Sequence, residues 1–253
     1  MSADFAERFT GRAAAYSKYR PGYPAEILNI LNSEIGFGQD KTVADIGSGT
    51  GLLSKLFLQN GNTVFGVEPN DEMRSLAEQS LSSFPNFVSV RGSAENSTLP
   101  DSSVDLVTVG QALHWFDRQR TTGEFARILK ENGYVCIAYN DRNMNDVFMQ
   151  GYEAIIAKHA RDRANVPEVG DDYLSKVFRD GKYSKFTLRN EQFLDFEGLL
   201  GRIVSASYMP NVTDQGRFQA LREDASLLFK ASGQTGTVRL LYDTVILLGQ
   251  IQN

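Results

Sequence analysis

Val43-Ala44-Asp45-Ile46-Gly47-Ser48-Gly49-Thr50-Gly51 is an apolar run that breaks into three glycines at alternate positions. Upstream, Thr42–Ile46 reads as a short buried strand. Downstream, Leu52, Leu53, Leu56, Phe57 and Leu58 recur on one helical stripe, Gly61 stops that helix, and Thr63–Val67 reads as a second strand. Strand, glycine turn, helix and strand make one βαβ unit. Three glycines in this spacing would arise by chance in roughly 0.15 of chains this long, so the context rather than the motif carries the weight. A tight strand-to-helix turn is the plain structural reading.

The same alternation continues outward. Asp71 can cap a helix through Leu81, Pro85 breaks it, residues 87–91 are a third strand and Val104–Gly110 a fourth. A helix from about Asp117 to Lys130 precedes Gly133, and residues 134–139 make a fifth strand. After Asn140 the pattern changes: residues 141–182 carry mixed charges, a helical stretch at 148–157 and the loop-like VPEVGDD, and read as an insertion. Residues 183–194 alternate as a sixth strand, helices follow near 198–207 and at Gln215–Ala231, and residues 238–248 make the last strand. The expected architecture is α/β: a Rossmann-like, mostly parallel seven-stranded sheet with helices on both faces and an antiparallel last strand. It forms a single domain over 1–253, with an N-terminal cap at 1–36 and a lid or substrate insertion at about 141–182.

The chain has 253 residues, 42% hydrophobic and 23% charged, within globular averages, which excludes disordered, collagenous and membrane classes. A net charge of -5 offers no global attraction to nucleic acid. Cys136 stands alone, with only His114 and His159 beside it, so neither an internal disulfide nor a structural zinc site is expected, and no metal is assigned. The acidic start MSADFAERFTGR lacks a secretory pattern, and Val245 to Leu248 is too short to span a bilayer, so a reducing, cytoplasmic setting is expected.

The loop leaves a strand and opens a helix, where small residues let a ligand approach the backbone. A dinucleotide fingerprint would place its third glycine at position 52, which is Leu, so a plain NAD site is disfavoured. Asp45 could accept bonds from an ammonium group, order the loop amides, or simply form the turn. Glu68, ending the second strand, can accept both hydroxyls of a ribose or be a solvated strand-end charge.

Through D-I-G-S-G-T-G at 45–51, G-V-E-P-N-D-E-M at 66–73 and G-S-A-E at 92–95, the chain resembles the class I S-adenosylmethionine (SAM)-dependent methyltransferases. Q-A-L-H-W-F at 111–116 and Y-S-K-Y-R-P-G-Y-P at 16–24 are similar to the trans-aconitate methyltransferase-like, type 11 subgroup. The resemblance implies a SAM cofactor, leaving as S-adenosylhomocysteine. It places Gly47, Ser48, Gly49 and Gly51, with Asp45 beside them, under the methionine part, Glu68 and Pro69 at the ribose, and Met73 near the nucleoside. Ser93, Ala94 and Glu95 would border adenine, Gln111, Ala112 and Leu113 would line the methionine side, and Tyr16, Tyr19 and Arg20 would close over the cofactor. Tyr16 and Tyr19 could equally pack an amphipathic terminal helix.

The implied activity is methyl transfer by in-line displacement to a small-molecule acceptor, a carboxylate among the candidates. A non-catalytic SAM-binding sensor or partner protein and an NAD-dependent oxidoreductase are the alternatives. The expected partners are the acceptor and, beyond a monomer, a second copy in a homodimer; neither nucleic acid nor a membrane is expected. His114 is the imidazole nearest the ligand-binding edge and the candidate catalytic residue, with a pocket-wall role preferred over a base. Arg142, Lys158, Arg161, Arg163 and Arg179 of the insertion could meet an anionic acceptor, although the interleaved acids Asp162, Glu168, Asp171, Asp172 and Asp180 favour a solvated face.

Overall fold

The computed structural model describes residues 13–161, 174, 177–210, 213–232 and 236–251. One seven-stranded sheet runs through it in the order β3-β2-β1-β4-β5-β7-β6. Its strands are β1 (Thr42–Ile46), β2 (Thr63–Val67), β3 (Phe87–Val90), β4 (Val104–Gly110), β5 (Leu129–Arg142), β6 (Ser184–Leu194) and β7 (Val238–Gln250). β1 to β5 are parallel, and β7 lies antiparallel between β5 and β6. The Rossmann-like, mostly parallel sheet with an antiparallel last strand is as the sequence predicts.

The helices are α1 (Ala13–Tyr19), α2 (Glu26–Ile35), α3 (Leu52–Asn60), α4 (Asp71–Ser80), α5 (Arg118–Ile128), α6 (Val147–His159), α7 (Phe196–Val204) and α8 (Gln215–Ala231). Local chemistry sets their ends. α3 follows Gly51 at φ 81°, buries Leu53, Leu56 and Phe57, and stops at Gly61, whose φ of 101° turns its amide back to the carbonyls of Leu58 and Phe57. α4 is capped by Asn70, not Asp71: the Asn70 side chain accepts from the Met73 amide at 2.9 Å. α5 begins where expected and is capped by Asp117, but it ends at Ile128, and Leu129 enters β5 directly. The expected helix through Lys130 and stop at Gly133 are therefore corrected. Residues 130–133 make an irregular detour in the β4–β5 pairing, and Gly133 is small because a Cβ there would lie 2.7 Å from Leu129.

One side of the sheet packs Ala44, Ile46, Val107 and Ile137 with Phe125 and Ile128 of α5; the other packs Val43, Leu106 and Ile246 with Ile27 of α2 and Phe57 of α3. A third apolar cluster gathers α6, α7 and α8 on the far strands, through Tyr152, Leu199, Ile203, Leu221, Leu240 and Tyr242. Residues 141 and 142, expected in an insertion, belong to β5. α6 shares a core with α7 and α8 and so sits in a helical layer rather than a free-standing lid. The VPEVGDD segment, Arg163, Asp162, Glu168, Asp171 and Asp172 lie outside the described residues, as does 1–12 of the N-terminal cap. Among the described residues, no helix is long and apolar enough to cross a membrane.

Candidate functional site

β1 connects through α3 to β2 on one side, while β4 pairs on the other, so the crevice past the carboxyl ends of β1 and β4 is the sheet's switch point, where ligands of open α/β sheets bind. A cleft with about 490 Å³ of empty space lies there. Its floor is Asp45, Gly47 to Thr50, Gly110 and Gln111.

All three loop glycines have positive φ, at 68°, 57° and 81° for Gly47, Gly49 and Gly51. A Cβ at Gly47 would lie 2.9 Å from Ala112 and 3.0 Å from Phe116, and one at Gly51 would lie 2.6 Å from Leu81. A Cβ at Gly49 meets nothing within 4 Å. Gly49 is thus the glycine whose missing side chain leaves space for something other than the protein. The loop amides are largely committed: Gly47 and Ser48 donate to the Val67 carbonyl at 2.8 and 3.1 Å, Gly51 to Ser48, and Gly49 to Glu68 Oε2 at 3.0 Å. Such a loop offers few free donors to a pyrophosphate, which agrees with the displaced third glycine.

Two buried carboxylates frame the loop. Asp45 accepts from Ser54 Oγ at 2.6 Å and Thr108 Oγ1 at 3.2 Å, and so braces α3 and β4 rather than the loop amides. Burial pushes its pKa up to about 6 despite those bonds. Glu68 takes the amides of Gly49 and Asn70, one on each oxygen, which ties the turn after β1 to the turn after β2. Burial raises its pKa, against the lowering by the two amides. Each oxygen keeps a second lone pair for a ligand donor.

The raised pKa of Asp45 has a definite sign. The folded state holds this proton more tightly than the unfolded chain, so the stabilisation is present at low pH and is lost as pH rises from about 4 through about 6. A shift of that size corresponds to about 3 kcal/mol. Asp45→Asn is expected to raise the neutral-pH unfolding free energy by about 1–3 kcal/mol, with the difference from wild type vanishing below about pH 4. Urea denaturation across that pH range measures it, and a pH-independent difference would contradict the account.

The N-terminal segment forms the roof. Tyr16, Arg20, Pro21 and Tyr23 line the cleft, whereas Tyr19 does not: its ring packs on Gly201 of α7, where any Cβ would strike it. For Tyr19 the helix-packing reading therefore prevails. The segment is pinned by Gln192 donating to the Tyr19 carbonyl at 3.0 Å and by Asn140 and Asn190 both donating to the Gly22 carbonyl. Arg20 stacks on the Tyr16 ring at 4.7 Å and donates to Ser205 Oγ at 3.1 Å.

Of the other predicted residues, Gln111 belongs to the cleft floor, and the rest stand along the same sheet edge without lining it. Glu68 and Pro69 follow β2, and Met73 is buried in α4. Ser93 and Asn96 exchange amide bonds in a tight turn after β3, Ala94 is buried beneath it, and Glu95 accepts from the Asp117 amide. Sequence reasoning missed Glu124, which accepts from the Ser97 amide at 2.7 Å and from Ser97 Oγ, fixing that turn to α5. Burial opposes its charge, yet Arg127 and Ser97 outweigh this and hold its pKa at about 2. Gln111 adopts φ 56°, unusual for a residue with a side chain, and donates to the Asn140 carbonyl. Ala112 and Leu113 point to the core.

His114 lies in a single 3₁₀ turn, its ring 4.5 Å from that of Trp115. Burial, then repulsion by Arg20, drives its pKa down to about 4, so the imidazole is neutral at physiological pH. The basic residues expected in the insertion are otherwise engaged: Lys158 with Asp224, Arg161 with Asp214, Arg179 with Gln250, and Arg142 with Glu153 and Tyr208. The second arginine lining the cleft is Arg202 of α7, missed by sequence reasoning. Its signal was available: a charge within LLGRIV, among residues that α7 buries.

A family model described as a methyltransferase domain matches residues 44–137, the half of the sheet that carries the loop. An uncharacterized methyltransferase of Mycobacterium tuberculosis is 33% identical over 168 residues, covering 65% of this chain and 66% of that protein, a little under two thirds of its length. Another, from Schizosaccharomyces pombe, is 28% identical over 200 residues, 78% of each chain. The solved structure of a protein from Anaeromyxobacter dehalogenans, named as a type II methyltransferase, has a TM-score of 0.70 over 92% of this chain and 99% of that one, at 21% identity, a likeness of fold.

Proposed function

The chain belongs to the class I SAM-dependent methyltransferases, and from that premise we propose that it transfers a methyl group from SAM to a small-molecule acceptor in the cleft past β1 and β4. The single observation that carries this reading is the loop itself. Gly49 leaves open space over a floor held by Glu68, while the loop amides are spent inside the protein. The residues fit the cofactor: Asp45 is a buried carboxylate beside the loop, suited to an ammonium group, and Glu68 keeps lone pairs for ribose hydroxyls. The motifs at 16–24 and 111–116 support a place near the trans-aconitate methyltransferase-like subgroup.

SAM supplies a methyl group on a positively charged sulfur, ready for in-line displacement. The chain's part is alignment and exclusion of water, and alignment alone can contribute about 7–11 kcal/mol. The pinned roof of Tyr16, Arg20 and Tyr23 shields the cleft, Glu68 fixes the loop from below, and Asp45 braces α3 and β4 beside it. A carboxylate acceptor arrives ionised and needs no base. His114, with its pKa near 4, has little drive to accept a proton at neutral pH, which argues against its role as a base.

An acceptor screen that follows S-adenosylhomocysteine release tests the proposal: an acceptor-dependent product supports it, and saturable SAM binding without any transfer across acid, amine and hydroxyl acceptors would favour a sensor. With an acceptor in hand, His114→Asn is expected to change acceptor KM within about tenfold and to leave the pH profile of single-turnover methylation unaltered. A base would instead show a rate loss of about 100-fold to 10,000-fold and a vanished ionisation.

A further inference from the structure

Three guanidinium groups meet where the roof, α6 and α7 close over the cleft, and their partners differ. Arg142 is neutralised by Glu153 and donates to Tyr208 Oη at 3.0 Å. Arg20 spends Nε and Nη2 on Ser205, whose oxygens are uncharged. Arg202 donates from Nε to Tyr242 Oη at 3.1 Å, and no hydrogen bond from either of its Nη groups is found among the described residues. Neither Arg20 nor Arg202 forms an ion pair with a described carboxylate, although Arg202 is 5% exposed and both line the cleft. A buried charge without a counter-ion is costly, several kcal/mol by general experience, and such a pair next to a binding cleft calls for an anion.

The cofactor alone does not balance this charge. SAM carries one carboxylate, one ammonium and one sulfonium, and so adds net positive charge to a cleft that already holds two arginines against Asp45. Its single carboxylate can answer one arginine, and Arg20, in the roof beside the loop, is the one the sequence motif assigns to the cofactor. Arg202 stands close to Arg20 on α7, three residues before Ser205, its Nε fixed by Tyr242 so that the two Nη groups form a fork.

We propose that Arg202 is the acceptor-recognition residue: its free guanidinium fork binds a carboxylate on the methyl acceptor and so selects small organic acids. This deepens the methyl-transfer reading and rests on it. A carboxylate held in the fork has lone pairs engaged by two N–H donors and is a poorer nucleophile, so the group that receives the methyl is a second one on the same molecule. Tyr242 acts through Arg202 and is a positioning residue.

The test uses the whole protein saturated with S-adenosylhomocysteine, titrated with succinate and benzoate and, as uncharged controls, succinamide and benzamide, followed by ligand-observed NMR and by melting temperature. The acids are expected to bind saturably and the amides not. Arg202→Met should weaken acid binding at least 10-fold, leave the S-adenosylhomocysteine Kd within twofold, and melt no lower than wild type. Arg202→Lys, which keeps the charge and loses the fork, should fall between and serves if the Met variant does not fold. A parallel loss of S-adenosylhomocysteine affinity in the folded variants would hand Arg202 to the cofactor and overturn the proposal. So would equal binding of amides and acids, or no binding of either acid by the wild type. Failure of the wild type to bind S-adenosylhomocysteine at all would overturn the methyl-transfer reading beneath it.

Discussion

Gly49→Val is expected to abolish measurable SAM binding, a loss of more than about 100-fold, or about 2.7 kcal/mol, while the protein still folds. Nothing lies within 4 Å of a Cβ at this position, so the side chain would enter the cleft and not the core. The folding cost is then confined to holding a branched residue at φ 57°, about 1–2 kcal/mol or somewhat more for a branched side chain, which lowers Tm by a few degrees. Gly51→Val supplies the contrast. It has a similar backbone penalty, but its side chain would be driven onto Leu81, 2.6 Å from the Cβ, so its loss should appear in stability first, by more than about 3 kcal/mol. Thermal shift with and without SAM separates the two. A Gly49→Val protein that SAM still stabilises would remove the loop from the site.

Glu68→Ala should weaken SAM binding by about 1–3 kcal/mol and also cost stability, because the amides of Gly49 and Asn70 lose their acceptor. Glu68→Gln keeps an acceptor oxygen for one amide but sets its NH2 group against the other, so it too should cost about 1–3 kcal/mol of stability while SAM affinity falls roughly tenfold. The 2′-deoxy analogue of S-adenosylhomocysteine, lacking one hydroxyl that Glu68 would accept, should lose much less than the parent compound between wild type and variant. Equal losses for both ligands in calorimetric titration would return Glu68 to a purely structural role as the tie between two turns.

The half of the chain that carries the loop was legible because its elements obey local rules. Strand β1 at Thr42–Ile46, the glycine break, the apolar stripe of α3 and the stop at Gly61 each have one cause in the sequence, and each is where it was expected. Errors arose where tertiary contacts override local signals. Gly133 looks like a helix stop, yet the pull of β4 draws Leu129 straight out of α5 into the sheet, and the glycine serves a close approach instead. Asn70 and Asp71 are both fair caps, and only the geometry chooses between them. Charge alone points to the arginines of residues 141–182, whereas Arg202 lies hidden in an apolar helix, 60 residues beyond Arg142. Its relation to Arg20 arises only when α7 packs on α1 through Tyr19 and Gly201. The loop site is written in neighbouring residues; the acceptor side is assembled from distant ones.

Calorimetric titration of the purified protein with SAM, S-adenosylhomocysteine and NAD tests the central claim most directly. The account expects one saturable site per chain for SAM and for S-adenosylhomocysteine, competitive with each other, and no heat of binding with NAD. Binding of NAD, or the absence of a SAM site in the folded protein, would contradict it.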